Sequence, residues 1–96
     1  MKQLAKDSWV YVFVQNPGTN EQIVGQQDRE NDISFIPTFL ERDEALKCFN
    51  LLVIDKAKKY EVHAILYEEL LDYASKNGFI VFILNGSGQI LDKAAA

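Results

Sequence analysis

The chain carries two unbroken apolar runs, and the second organises the rest. Phe79-Ile80-Val81-Phe82-Ile83-Leu84 lies between Asn77-Gly78 and Asn85-Gly86-Ser87-Gly88. A strand with one face in water alternates apolar with polar residues. A run without alternation, rich in aromatic and β-branched side chains, predicts a strand covered on both faces. The run is too short for an independent helix, and Gly or Asn punctuates each end. It is the expected central strand.

The first run is Trp9-Val10-Tyr11-Val12-Phe13-Val14. In a strand its residues sort by parity, with Trp9, Tyr11 and Phe13 on one face and Val10, Val12 and Val14 on the other. Asn16-Pro17-Gly18-Thr19-Asn20 ends it with turn chemistry. Gln22-Ile23-Val24-Gly25 predicts a short return strand, and the polar stretch 26–32 an exposed loop or strand tip. Residues 33–40 predict a third strand. Pro37 has no N–H to donate, which places that strand at a sheet edge or puts a bulge at Pro37.

Glu41-Arg42-Asp43-Glu44 is an acidic first turn, and Ala45, Leu46, Phe49, Leu52 and Val53 keep a helical spacing. A helix is therefore expected from about Arg42 to about Lys56, unless Leu51-Leu52-Val53-Ile54 begins a strand. Alternation from Tyr60 to Ile65 predicts a short strand. In the next segment Leu66, Leu70, Tyr73 and Ala74 form one stripe and Glu68, Glu69, Asp72 and Lys76 the opposite one, an amphipathic helix stopped by Asn77-Gly78. After the central strand, residues 85–88 predict a hairpin and Gln89-Ile90-Leu91 a return strand.

The expected order is β-β-β-α-β-α-β-β, a single α+β domain over residues 1–93. Its architecture is one mixed β-sheet with two helices packed mainly on one face, since two helices shared between both faces would leave each half bare. Residues 1–7 read as a loose polar leader. Ala94-Ala95-Ala96 reads as a vector-derived tail outside the fold.

Ninety-six residues hold one core, and 48% apolar with 25% charged residues are the proportions of a soluble globular domain. The net charge of -4 and the scattered basic residues argue against a nucleic-acid partner, because phosphate binding needs a concentrated positive field. The one basic cluster, Lys56, Lys58 and Lys59, is flanked by Asp55 and Glu61. A single cysteine, Cys48, leaves no internal disulfide and no cysteine-based zinc site. No apolar run approaches the roughly 18 residues of a membrane span. The first residues lack the apolar segment of a signal peptide. No membrane partner is expected, and the default location is the cytoplasm of a bacterial-type cell.

Candidate chemistry is sparse. The glycine-rich turn 85–88 lacks the following helix and the lysine that a phosphate loop needs, so it reads as a hairpin. His63 is the only histidine. Pairing it with Cys48 would require the thiol on an exposed face, whereas its neighbours form the apolar stripe of a helix, so a buried, inert thiol is expected. Glu68, Glu69 and Asp72 share an open helix face that offers solvation rather than the shielded cleft catalytic acids require. Glu41, Asp43 and Glu44 read as helix-start charges. No catalytic residue, cofactor or metal site is expected. The aromatic row stands apart from all of these. Either it packs beneath the helices, or the valine face takes the helices and the row faces outward. An outward row would form a contiguous apolar patch of residue types enriched at binding hot spots. Trp9, Tyr11 and Phe13 are therefore the candidate interface.

Three segments also resemble the N-terminal domain of the SseB family, the bacterial "enhanced serine sensitivity" proteins. They are the early strand Val10-Tyr11-Val12-Phe13-Val14-Gln15, the strand-to-helix passage from Ile36-Pro37-Thr38-Phe39 through Leu46, and the helix, glycine and apolar strand from Leu70 to Gly86. Gly86 after Asn85 and Leu40-Glu41 after Phe39 depart from the family pattern. The resemblance spans roughly residues 9–91 and implies a compact α+β domain without established catalytic residues.

Two expectations follow. The first is a non-catalytic protein-interaction or regulatory accessory domain, with a protein partner or a homodimer, meeting it at Trp9, Tyr11 and Phe13. The alternative is a small-molecule-binding or minor enzymatic domain whose pocket, between sheet and helices, gathers His63, Cys48, Tyr60, Tyr67 and Tyr73.

Overall fold

Residues 4–94 are described by a computed structural model. The strands are β1 (Trp9–Gln15), β2 (Gln22–Ile23), β3 (Gln26–Asp28), β4 (Ile33–Phe39), β5 (Tyr60–Leu66), β6 (Ile80–Leu84) and β7 (Ile90–Ala94), with helices α1 (Arg42–Cys48) and α2 (Tyr67–Asn77). The expected α+β order holds, with β3 as one additional short strand. All seven strands belong to a single mixed sheet. Its long members run β5-β1-β4-β6-β7, and β2 and β3 fill the splay between β1 and β4.

The apolar run that predicted a central strand forms β6, paired in parallel with β4 and antiparallel with β7. Val81, Phe82, Ile83 and Leu84 are all buried, as a strand covered on both faces requires. Even-numbered Val10, Val12, Val14 and Ile36 join Val81 and Ile83 on one face, beneath Leu70 and Ala74 of α2. Phe13, Phe39, Phe82 and Leu84 lie on the other, beneath Ala45 and Cys48 of α1.

The two helices thus cover opposite faces, which corrects the expectation that both would pack mainly on one. The reason lies in the crossovers. β4, β5 and β6 are mutually parallel, because β1 is antiparallel to both β4 and β5. The β4-α1-β5 connection therefore travels toward one edge, and β5-α2-β6 travels back across the sheet. Two crossovers of the same hand, moving in opposite directions, must lie on opposite faces.

Of the two placements expected for Pro37, the edge is not the one found: it sits fully buried in an interior strand, at a break in the ladder. On the side facing β1 and β3, β4 is registered to β3 through residues 33–35 and to β1 only at Phe39. Pro37 occupies the gap between those two partners, where the missing N–H interrupts no registered pair.

Helix α1 ends earlier than its apolar spacing predicts. After one 3₁₀ turn, Phe49–Leu51, the chain becomes extended at Leu52. The Gln26 side chain then pairs with both backbone groups of Val53, accepting from its N–H at 2.9 Å and donating to its carbonyl at 2.7 Å. The Tyr60 hydroxyl does the same for Asp55, accepting from its N–H at 2.9 Å and donating to its carbonyl at 3.0 Å. Backbone groups that a helix would have paired internally are satisfied by these two side chains instead. Helix α2 ends where the sequence says it should, at Gly78 with φ 75°, whose N–H donates to the Ala74 carbonyl.

The segment expected to be a loose leader is docked from Leu4 onward. Leu4 packs on the valine-face core, and Lys6 and Ser8 carbonyls accept from Glu68 and Tyr67 N–H at the start of α2. These carbonyls serve donors that no side-chain cap satisfies. Ala94, set outside the fold above, closes β7 opposite Val81. The rest of that proposed tail, 95–96, and leader residues 1–3 lie outside the described residues.

Phe82 is 3% exposed and stacks on Phe35 at a centroid distance of 4.5 Å. Phe82→Ala should cost about 3–5 kcal/mol through lost transfer energy and a cavity, a large fraction of the roughly 5–15 kcal/mol available to such a domain. His63→Ala, on the edge strand, should stay within about 0.5 kcal/mol. Urea denaturation of both variants checks the ranking. A Phe82 variant as stable as the parent would contradict this core.

Candidate interaction surface

The aromatic row on β1 is graded along the strand. Phe13 is 2% exposed, Tyr11 half-buried and Trp9 60% exposed. The gradient follows from where α1 lies. Its C-terminal end and the following 3₁₀ turn lower Phe49 onto Phe13, with ring centroids 5.2 Å apart, and Phe39 meets Phe13 edge-on at 5.7 Å. Trp9 lies at the other end of the strand, in register with Leu66, and Tyr11 with Ala64. The three-residue candidate interface is therefore corrected to two. Phe13 belongs to the core, because at this end of the row the first of the two expected arrangements holds and α1 covers the face. Trp9 and Tyr11 remain reachable.

At the Phe13 end of the row runs a groove of about 510 Å³ between α1 and β5, lined by Phe13, Arg42, Leu46, Phe49, Tyr60, Glu61 and Val62. Leu46, expected on the helix's buried stripe, is 48% exposed on its rim. β5 forms the far wall and is an edge of the sheet, since β1 is its only partner among the described residues. The groove and the open strand edge thus adjoin one another, with the exposed tryptophan at the opposite end of the aromatic row.

The residues of the alternative reading are dispersed. Cys48 lies under α1 in the aromatic-face core. His63 is in register with Val12, which places it on the valine face. Its ring nitrogen meets Glu61 Oε1 at 2.9 Å on the surface. The sheet separates thiol from imidazole. Tyr67 and Tyr73 pack with α2 on the valine-face core, and Tyr60 on the other. Tyr60 and Tyr73 do reach a common cavity of about 500 Å³ at one end of the sheet, in company with Gln15, Gln26, Asn77 and Phe79. Two of its polar side chains, Gln26 and Tyr60, are engaged in holding the 53–55 backbone.

Burial pushes the Cys48 thiol up and away from the reactive thiolate. Burial, then the Asp92 carboxylate, raises the Tyr67 phenol. Asp72 pairs with Lys76 at 2.9 Å across an exposed helical turn. Glu44 has a role that the sequence did not show. Its carboxylate accepts from the Gly86 N–H and ties α1 to the β6–β7 hairpin. A Cβ at Gly86 would meet that carboxylate at 2.7 Å and Lys47 Cβ at 2.9 Å, so the contact needs glycine. The hairpin reading of residues 85–88 holds, with Asn85 Oδ1 accepting from Ser87 and Gln89 N–H, each at 3.0 Å. Among the described residues no group of three or more His, Cys, Asp and Glu side chains is placed to hold a metal ion. No described helix is long and apolar enough to cross a membrane.

Comparisons with protein-family models, with curated proteins and with solved structures find no match to the chain.

The burial of Cys48 sets a direct expectation. Its thiol, 1% exposed and with its ionisation pushed up, should react with a disulfide reagent at least about a hundredfold more slowly in the native protein than in denaturant. Absorbance of the released chromophore follows the reaction. Equal rates in both states would show that α1 does not cover the thiol.

Proposed function

We propose that this chain is a non-catalytic protein-interaction domain, a regulatory accessory module that associates with itself. Its contact region is the open end of the aromatic face at Trp9 and Tyr11, together with the groove below Leu46. The observation carrying this reading is Trp9, a large side chain 60% exposed on a strand whose other apolar residues are half-buried or buried. Tryptophan and tyrosine are among the residues that dominate binding energies at protein interfaces. The separation of Cys48 from His63 by the sheet supports a module without catalytic residues. A kinship with the SseB family, a cytoplasmic bacterial setting and a protein rather than nucleic-acid or membrane partner complete the proposal. The last point draws support from the scattered basic charge.

Size-exclusion chromatography with light scattering tests it. The parent should self-associate as concentration rises, with the Trp9 emission shifting to the blue as the indole leaves water. Trp9→Ala should weaken association by at least about tenfold while leaving the thermal midpoint within a few degrees. A strictly monomeric parent at high concentration, with unchanged emission, would remove this reading.

A further inference from the structure

The backbone of β5 specifies how a second copy would bind. Asn16 N–H donates to the Lys59 carbonyl at 2.9 Å and Tyr67 N–H to the Ser8 carbonyl at 2.8 Å. These contacts mark 16/59 and 8/67 as hydrogen-bonded pairs flanking the seven-residue β1–β5 register. Alternation along an antiparallel ladder then assigns the bonds between them to 10/65, 12/63 and 14/61. Odd-numbered residues of β5 face β1, and Tyr60, Val62 and Ala64 turn both N–H and C=O to the open side. Among the described residues these outward groups have no protein partner.

The two edges of the sheet are treated differently. β7 carries a register shift beside Ile83/Leu84 and the charged pair Asp92 and Lys93, features that blunt an edge against pairing. β5 has an unbroken register and contains no proline, glycine, lysine or arginine. It is the unprotected edge.

We infer that a second copy of this chain adds to β5 edge to edge, antiparallel, in the twofold register centred on Val62, making one continuous sheet across the dimer. This deepens, and rests on, the self-associating reading above. In that register Tyr60 pairs with Ala64 of the other copy and Val62 with itself. The outward groups of all three residues meet as hydrogen-bonded pairs. Glu61 falls opposite His63 of the other copy, twice by symmetry, at the closer non-hydrogen-bonded positions. Carboxylate faces imidazole, and the Glu61–His63 contact already present within each strand becomes a four-membered cluster. The neighbouring register, centred on His63, satisfies the backbone equally but sets imidazole against imidazole and Glu61 against Ile65. Side-chain complementarity selects Val62.

Charge exchange tests this register. Glu61→Lys puts lysine opposite histidine, and His63→Glu puts two glutamates face to face, so each variant alone should dimerise about tenfold more weakly than the parent. An equimolar mixture of the two restores both cross-strand pairs and should form a heterodimer about as tight as the parent dimer, by sedimentation velocity. Both side chains are partly or fully exposed, and unchanged thermal midpoints verify the fold. Ala64→Pro removes an outward N–H without touching the β1 ladder and should also weaken the dimer. A parent dimer unaffected by these substitutions, or a mixture no tighter than either variant, overturns the Val62 register while leaving self-association standing. A monomeric parent overturns both.

Discussion

The parallel pairing of β4 with β6 is the constraint on which the rest depends. Both strands bury side chains on both faces: Ile36 and Thr38 with Val81 and Ile83 on one, Phe39 with Phe82 and Leu84 on the other. A parallel pair cannot be closed by a hairpin, so the chain must leave the sheet between the two strands. It does so through α1 on one face and, after returning to the sheet at β5, through α2 on the other, and these two helices supply the cover each face needs. Thr38, the buried polar side chain, bonds its hydroxyl to the Ile36 carbonyl at 3.1 Å, so burial on both faces leaves it satisfied.

One helix per face has a consequence for the surface. Neither α1 nor α2 is long enough to span all the strands beneath it, and cover fails first at the β5 side. α1 reaches Phe13 and Phe39 but not Trp9. Lys93 shows the same shortage being met differently on the other side, with its ammonium 5.4 Å from the Phe82 ring centroid. At Trp9 no such residue intervenes among the described residues. The exposed indole and the groove are thus two expressions of one shortfall in cover.

Two side chains, Gln26 and Tyr60, govern where α1 stops. Each satisfies both the N–H and the C=O of one residue, Val53 or Asp55, so the extended path has partners for backbone groups that a continued helix would have paired. This path returns the chain to the start of β5. Glu44, bonded to Gly86, holds the other end of α1 against the β6–β7 hairpin. Long-range polar contacts of this kind leave no periodic trace, because one partner lies far away in the sequence.

The elements follow from local sequence. Local periodicity marked β1, β4, β5, α2 and β6, and glycine and asparagine marked the stops at Gly78 and the hairpin at 85–88, because backbone preference and parity act over a few neighbours. Local sequence also determined that Trp9, Tyr11 and Phe13 share a face. What that face meets depends on the packing of the whole sheet. The direction of each crossover fixed which helix covers which side, put Pro37 in a ladder gap inside the sheet, buried Phe13 and left Trp9 in water. It also separated Cys48 from His63 by the thickness of the sheet. Those outcomes depend on how strands distant in sequence order themselves, and the handedness of the crossovers has no signature in any single stretch of residues.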